Sequence, residues 1–137
     1  MTTILGAVDL ATITGRIVAA LRHEQGATQA TLAGRMRWDR SLLARVEAGR
    51  NTATIDNLFE LEEVFLADGL VRRHGDLVEL VGRIVHEAKR RGLSPVVGRT
   101  GEQPSAETAL VDRIVARVVD DWLLDLEGQL ASGGGSR

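Results

Sequence analysis

The sequence predicts an all-α protein in which a bundle of short helices precedes two longer helices. Apolar residues recur at the spacing of amphipathic helices in both halves of the chain. A Thr, Asp or Ser stands before most of these apolar segments, where a side chain can cap a helix. Only two prolines interrupt the 137 residues, Pro95 and Pro104, and they flank the one clear break in the helical pattern.

The first two helices are predicted from their caps. Thr12 or Thr14 begins a helix that carries its apolar residues on one side and stops at Gly26, a residue suited to a helix C-terminus. Thr28 begins a short second helix with Leu32 facing inward.

The third and fourth helices are predicted in the same way. Asp39 precedes a third helix that ends at Ala48, just before Gly49. Thr54 precedes a fourth helix, whose acidic residues we expect to face solvent. The connections between these helices are about three to five residues long, which is typical of a compact helical bundle.

The second half contains two longer predicted helices and a break. Residues 76–91 carry an apolar stripe and end in basic residues, where the helix dipole favours cations. Residues 92–104 are expected to be a loop with a short extended piece at 96–97. Ser105 begins the longest helix, which we expect to reach about Leu130.

These elements divide the chain into three regions. We expect a first domain over residues 13–70 and a helical C-terminal region over residues 71–130. Residues 131–137 are expected to form a flexible tail, because a glycine- and serine-rich segment has the composition of a linker.

Composition excludes several classes of function. The chain has no cysteine, which excludes disulfides and thiolate chemistry and argues against a zinc site. Aromatic residues make up 3% of the chain and none is tyrosine, which leaves little for stacking on single-stranded bases. No apolar run is long enough to cross a bilayer and no secretory signal is evident, so we expect a cytoplasmic protein.

The net charge of −2 conceals a local asymmetry. Residues 14–51 contain seven arginines against three acidic residues, whereas residues 52–66 contain four acidic residues and no basic one. Because local charge decides whether a surface attracts phosphate, the acidic balance of the whole chain does not exclude nucleic-acid binding.

The third helix has a polar side suited to close approach. At about 100° per residue, its apolar residues fall on one side. The other side presents Arg40, Ser41 and Arg45 together with the small residues Ala44 and Ala48. An α-helix fits the major groove of DNA, where an arginine can donate two hydrogen bonds to guanine. The alternative is a solvated helix face that happens to hold arginines.

A longer pattern covers residues 13–66 without a gap. It consists of the following residues: Val18, Leu21, Arg22, Gly26, Thr28, Gln29, Leu32, Ala33, Ser41, Leu43, Val46, Glu47, Gly49, Thr54, Ile55 and Leu58. Together they resemble the helix-turn-helix domain of the Cro/lambda-repressor family, often called the XRE family. The resemblance implies a lambda-repressor-like bundle that binds a double-stranded DNA operator, most often as a transcriptional repressor.

The resemblance also implies roles for individual residues. Those expected to read bases are Arg40, Ser41, Arg45 and Gln29. Those expected to contact DNA phosphates are Thr28, Arg37, Arg50 and Asn51. Arg22 and Glu47 are expected to form an ion pair that joins the first helix to the end of the third.

Arg37 and Leu42 are among the residues that depart from the family pattern. Arg37 stands where the turn between the second and third helices usually has a glycine, which requires a left-handed or otherwise altered turn. Trp38 follows and is interpreted as a plug of the core, with a DNA contact as the alternative. Leu42 either touches a thymine methyl group or faces the core.

The longest helix offers the broadest apolar surface. Domains of this family usually bind DNA as twofold dimers, so we expect a homodimer through this helix. The residues expected at the interface are Val111, Val115, Val118 and Trp122. The alternative is a monomer in which the two C-terminal helices cover each other and the bundle.

Other functions stay open. The protein could be a phage-type immunity repressor, or an antitoxin whose C-terminal helices neutralise a toxin. It could also be a ligand-sensing helical protein with a cavity beside Trp122. No nucleophile, base and orienting group can be assembled, so we expect no enzymatic activity, and the sequence predicts neither a metal nor a cofactor. A DNA-binding role places it on the nucleoid of a bacterial or phage-infected cell.

Overall fold

The computed structural model describes residues 6–51, 53–96 and 106–135. Its elements, in chain order, are β1 (Gly6–Asp9), α1 (Leu10–Gln25), α2 (Gln29–Met36), α3 (Arg40–Glu47), α4 (Ile55–Ala67), α5 (Asp76–Arg90), β2 (Leu93–Val96) and α6 (Ala106–Gly135). The predicted all-α architecture, with a bundle of short helices and two C-terminal helices, is confirmed, with the addition of two short strands.

Strands β1 and β2 form a small parallel sheet, in which Gly6 pairs with Leu93 and Asp9 with Val96. The sequence did not predict β1. Strand β2 overlaps the extended piece expected at 96–97, of which Val97 lies outside the described residues. The two strands are distant in the chain, so no local pattern reveals their pairing.

Helix α1 begins directly after β1. The Asp9 carboxylate accepts a hydrogen bond from the backbone N–H of Ala11 at 3.0 Å and caps the helix. The prediction that Thr12 or Thr14 is the cap is wrong, because both lie inside the first turns. The Thr14 hydroxyl instead donates to the carbonyl of Leu10.

Helices α2 and α4 begin at their predicted caps. The Thr28 hydroxyl accepts the N–H of Thr31 at 3.1 Å. Thr54 and Asn57 form a capping box, in which each side chain accepts a hydrogen bond from the other residue's backbone N–H. Asp39 occupies the N-cap position of α3, as predicted, but its side chain makes no capping hydrogen bond.

Two buried carboxylates organise the connection from α4 to α5. Glu62 accepts hydrogen bonds from the backbone N–H groups of Gly75 and Leu77 at 2.9 and 2.8 Å. Asp76 accepts the N–H of Arg72 at 2.7 Å. Both acids are almost fully buried, so the expectation that the acidic residues of the fourth helix face solvent is wrong for Glu62. The hydrogen bonds replace the water that each side chain loses on burial.

Helix α6 is longer than the sequence predicts. Its expected first residue, Ser105, lies outside the described residues. The helix continues past the expected end at Leu130 to Gly135, so the predicted flexible tail is helical over 131–135, while 136–137 lie outside the described residues. No proline interrupts this segment, and glycine disfavours a helix without removing its backbone hydrogen bonds.

One hydrophobic core joins both halves of the chain, because α6 packs on α1 and α5. Val111, Val115 and Trp122 are buried in this core, and the Trp122 indole N–H donates to the carbonyl of Leu70 at 3.0 Å. Their assignment to a dimer interface is therefore corrected, since they contact the chain's own helices. Val118 is half-buried. No helix among the described residues is both long and apolar enough to span a membrane.

Candidate nucleic-acid interface

Helices α2 and α3 are joined by a tight turn that contains Arg37. This residue has φ 60° and ψ 34°, and it is the one non-glycine residue with positive φ in the described part of the chain. The backbone N–H of Trp38 donates to the carbonyl of Ala33 at 2.9 Å. This hydrogen bond is typical of helix ends in which glycine takes the left-handed position that Arg37 occupies here. The sequence predicted either a left-handed or an otherwise altered turn at Arg37, and the structure has the left-handed conformation.

The Glu47 carboxylate fixes α3 against α1 and α2. It accepts hydrogen bonds from Arg22 Nε at 2.7 Å and Arg22 Nη2 at 2.9 Å, so the expected ion pair is present. Gln29 Nε2 donates to the same carboxylate at 2.9 Å. Arg22 Nη1 also donates to the carbonyl of Ala27 and holds the turn before α2. Three helices therefore meet at one buried acid.

Helix α1 supports α3 from behind through two glycines. A Cβ atom on Gly15 would overlap the backbone carbonyl groups of Val46 and Glu47. A Cβ atom on Gly49, which has φ 77°, would lie 2.6 Å from the Thr12 hydroxyl. Because neither glycine has a side chain, the backbones of α1 and the end of α3 approach closely.

Arg16 connects the end of α3 to α6. Its Nη1 atom donates to the backbone carbonyl of Glu47 at 2.9 Å, and its Nε atom donates to the Asp112 carboxylate at 2.7 Å. The long C-terminal helix thus contacts, through one side chain, the helix that carries the predicted base-reading residues.

The outer face of α3 is open to solvent. Arg40, Ser41 and Arg45 are exposed, whereas Leu43 and Val46 are buried in the core. A charged helix face supported from behind by two other helices, at the second position of a helix-turn-helix unit, is the arrangement that enters the major groove.

Residues 15–74 match the family described as a helix-turn-helix domain. This segment is a helix-turn-helix domain. Comparisons with curated proteins and with solved structures gave no match. Within the domain, α2 is the first helix of the motif and α3 the second, which in such domains reads DNA.

The seven arginines of residues 14–51 fall into two groups. Arg16, Arg22 and Arg35 are hydrogen-bonded to carboxylates of the chain. The other four lie on α3 or in the turns beside it and are exposed, and their guanidinium groups make no hydrogen bond or ion pair to the described residues: Arg37, Arg40, Arg45 and Arg50. Within residues 14–51, the positive charge that no carboxylate of the described residues neutralises is therefore concentrated at α3.

The other residues predicted to contact DNA differ in whether their polar side-chain groups are already hydrogen-bonded within the chain. Thr28 is exposed but its hydroxyl caps α2, and Asn51 is half-buried beyond the end of α3. The amide nitrogen of Gln29 donates one of its two N–H groups to Glu47, which leaves the other N–H and the carbonyl oxygen for a base. Gln29 therefore contributes to the position of α3 as well.

Trp38 and Leu42 are both half-buried. The Trp38 ring packs against the hydrophobic core and its indole N–H donates to Glu60 at 3.2 Å, as expected for a residue that plugs the core. Leu42 lies between the buried and exposed faces of α3, so both of its expected roles stay open.

An ion pair at the edge of the domain links the ends of α2 and α4. Arg35 Nη1 and Nη2 donate to the Asp68 carboxylate at 2.8 and 3.2 Å. The hydrogen bond from Arg35 lowers the pKa of Asp68, against the opposing effect of burial, and Asp68 in turn raises the pKa of Arg35. The pair joins the ends of α2 and α4, and because it is partly exposed its contribution to stability is small.

Sequence reasoning missed the residues that support α3 from behind, namely Arg16, Gly15 and the role of Gly49 toward Thr12. A glycine inside a helical pattern can signal close packing, so Gly15 could have been found. The partners of Arg16 lie on other helices and leave no local signal.

Proposed function

We propose that the protein is a sequence-specific regulator of transcription that binds double-stranded DNA, acting as a repressor. The observation that carries the proposal is the set of four exposed arginines on and beside α3, whose guanidinium groups have no partners among the described residues. In this arrangement α3 enters the major groove, where Arg40 and Arg45 donate to guanine and Ser41 contacts a neighbouring base.

Residues around α3 would hold the domain on the sugar–phosphate backbone. Arg37 lies in the turn before α3 and Arg50 in the turn after it, so the two flank the helix. Thr28 stands at the N-terminus of α2, where backbone N–H groups favour phosphate, and Asn51 follows Arg50. Contacts of this kind set the orientation of α3 without reading sequence.

We further propose that the protein acts as a homodimer through the outward face of α6. Three of the residues expected there are buried in the chain's own core, but Leu124 is 65% exposed on the same helix. A large apolar side chain in this position gains free energy when a second copy covers it. Leu124→Glu should therefore reduce the mass in solution from dimer to monomer.

Ala109→Glu is a matched control, because it adds the same charge at an exposed position near the other end of α6. It should leave the mass unchanged. Equal masses for wild type and Leu124→Glu would exclude this interface, and a monomeric wild type would exclude the dimer.

The DNA-binding proposal is tested by selecting bound duplexes from a random library with the full-length protein. We expect one recurring sequence motif, arranged as two inverted half-sites about one helical turn apart if the protein binds as a dimer. Recovery of no motif above the starting library would contradict sequence-specific binding.

A further inference from the structure

A groove between the end of α5 and the first half of α6 lies apart from the helix-turn-helix motif, since none of its lining residues belongs to α2 or α3. Its volume is about 530 Å³. Sites for small organic molecules have volumes of roughly 300–1,000 Å³, so the groove is of suitable size. Leu110, Ile114 and Val118 form its apolar part, with Ile114 buried and the other two half-buried.

The rest of the groove is charged. Arg90 and Arg91 contribute from the end of α5, and Arg113 and Arg117 from successive turns of α6. Its two acidic residues are Glu87 and Asp121. Glu87 is paired with Arg90 at 2.8 Å. The guanidinium groups of the other three arginines make no hydrogen bond or ion pair to the described residues. The groove is therefore positive, whereas the whole chain has a net charge of −2.

The helix dipole does not account for Arg113 and Arg117. Arginines at the end of a helix interact favourably with its dipole, which accounts for Arg90 and Arg91. Arg113 and Arg117 instead lie in the first half of α6, where the dipole gives no such benefit. They are four residues apart on one helix face, and like charges at that spacing repel each other. Asp121, four residues further along, offsets this repulsion for Arg117 only.

We propose that this groove binds an organic anion with an apolar body. Arg113 and Arg117 hold the carboxylate, sulfonate or phosphate group, because guanidinium groups donate paired hydrogen bonds to planar or tetrahedral oxyanions. Leu110 and Val118 contact the apolar body. Binding here does not depend on DNA binding, since the groove shares no residue with the DNA-contacting set.

The test is a fluorescence titration of the full-length protein with anilinonaphthalene sulfonate, which combines an aromatic body with one sulfonate. The neutral N-phenylnaphthylamine has the same apolar body and no charge, and serves as the control probe. Arg113→Gln and Arg117→Gln each remove one guanidinium group from the groove. Arg73→Gln removes an exposed arginine outside the groove and is the control variant.

We expect saturable binding of one sulfonate probe per chain in wild type and Arg73→Gln, with equal affinity. Arg113→Gln and Arg117→Gln should each weaken binding about tenfold, because each removes charge-assisted hydrogen bonds. In wild type the neutral probe should bind at least about tenfold more weakly. Circular dichroism should show the same helix content for all four proteins.

Three results would overturn the proposal. One is the absence of saturable sulfonate binding to wild type, and another is equal sulfonate affinity in all four proteins. The third is a neutral probe that binds as tightly as the sulfonate. The two groove variants should also bind duplex DNA like wild type, and a loss of DNA affinity would assign these arginines to DNA phosphates instead.

Discussion

Arg40, Arg45 and Arg50 differ in where they stand relative to α3. Arg40 and Arg45 lie on its exposed face, and Arg50 follows the helix. Replacing Arg40 or Arg45 by Ala should cost about 1–3 kcal/mol of binding free energy and relax the preference at one base pair of each half-site. Competition binding with single-base operator variants measures both effects.

Arg50→Ala is the comparison for those two variants. It should weaken specific and non-specific DNA equally and reduce the salt dependence by about one unit per site. All three arginines are exposed, so the melting temperatures should change little. The assignment of Arg40 and Arg45 to bases and of Arg50 to phosphate would be contradicted by the opposite result. In that case Arg50→Ala would change sequence preference, and the Arg40 and Arg45 variants would lower affinity for all sequences equally.

Arg37 combines backbone strain with a proposed phosphate contact. A non-glycine residue in the left-handed region costs about 1–2 kcal/mol, and glycine removes this cost. Arg37→Gly should therefore stabilise the protein by about 0.5–1 kcal/mol, measured by denaturant unfolding, while lowering DNA affinity at low salt. Arg37→Ala should lower DNA affinity equally without the gain in stability. An Arg37→Gly protein with unchanged DNA affinity would remove Arg37 from the interface.

The Arg35–Asp68 pair predicts a dependence of stability on pH. Because the pKa of Asp68 is lowered in the folded protein, its stabilising effect is complete above the ordinary value near 4 and is lost as pH falls through the lowered value. The pair is partly exposed, so Asp68→Asn should cost only about 0.5 kcal/mol at pH 7.

This effect can be measured by thermal unfolding from about pH 7 to 2, since the difference between wild type and Asp68→Asn should shrink below about pH 4. Asp121→Asn removes an exposed acid outside this pair and should match wild type throughout. A difference for Asp68→Asn that grew as pH fell would contradict the assigned ion pair.

Among the elements, α3 is held in place mainly by α1. Gly15→Ala would push the added methyl group into the backbone of α3 at Val46 and Glu47. We expect a loss of about 1–3 kcal/mol in the free energy of unfolding and weaker DNA binding, because α3 must shift. Denaturant unfolding and DNA titration measure the two effects.

Gly34→Ala is a matched control in α2, where an added Cβ meets open space. Because alanine is the better helix former, this variant should be more stable by about 0.5–1 kcal/mol. If Gly15→Ala behaved like Gly34→Ala, the close packing of α1 on α3 would be excluded.

The sequence predicts those helix boundaries that depend only on residues within a few positions of each other. Thr28 and Thr54 cap their helices through residues three positions later, so the starts of α2 and α4 are readable from short segments. Asp9 is different. It caps α1 because α1 begins where β1 ends, and β1 forms only by pairing with β2, which is distant in the chain. The same limit applies to Gln29, whose amide is bound to Glu47 on another helix.

Across the whole molecule, the C-terminal region is part of one core with the helix-turn-helix domain. An apolar helix stripe has the same sequence pattern whether it meets a second chain or the chain's own helices. For this reason the broad apolar side of α6 could be predicted, but not that Val111, Val115 and Trp122 pack inside the chain. The outer face of α3 could be predicted because helical spacing alone separates Arg40 and Arg45 from Leu43.

The central claim is that the protein binds double-stranded DNA by sequence through α3. The most direct test compares the affinity for a selected duplex with that for a scrambled duplex of equal length, over a range of salt concentrations. We predict at least about a thousandfold preference at physiological salt and a log–log salt slope of magnitude roughly 3–8 for a dimer. Equal affinity for the two duplexes, or affinity that does not change with salt, would contradict the claim.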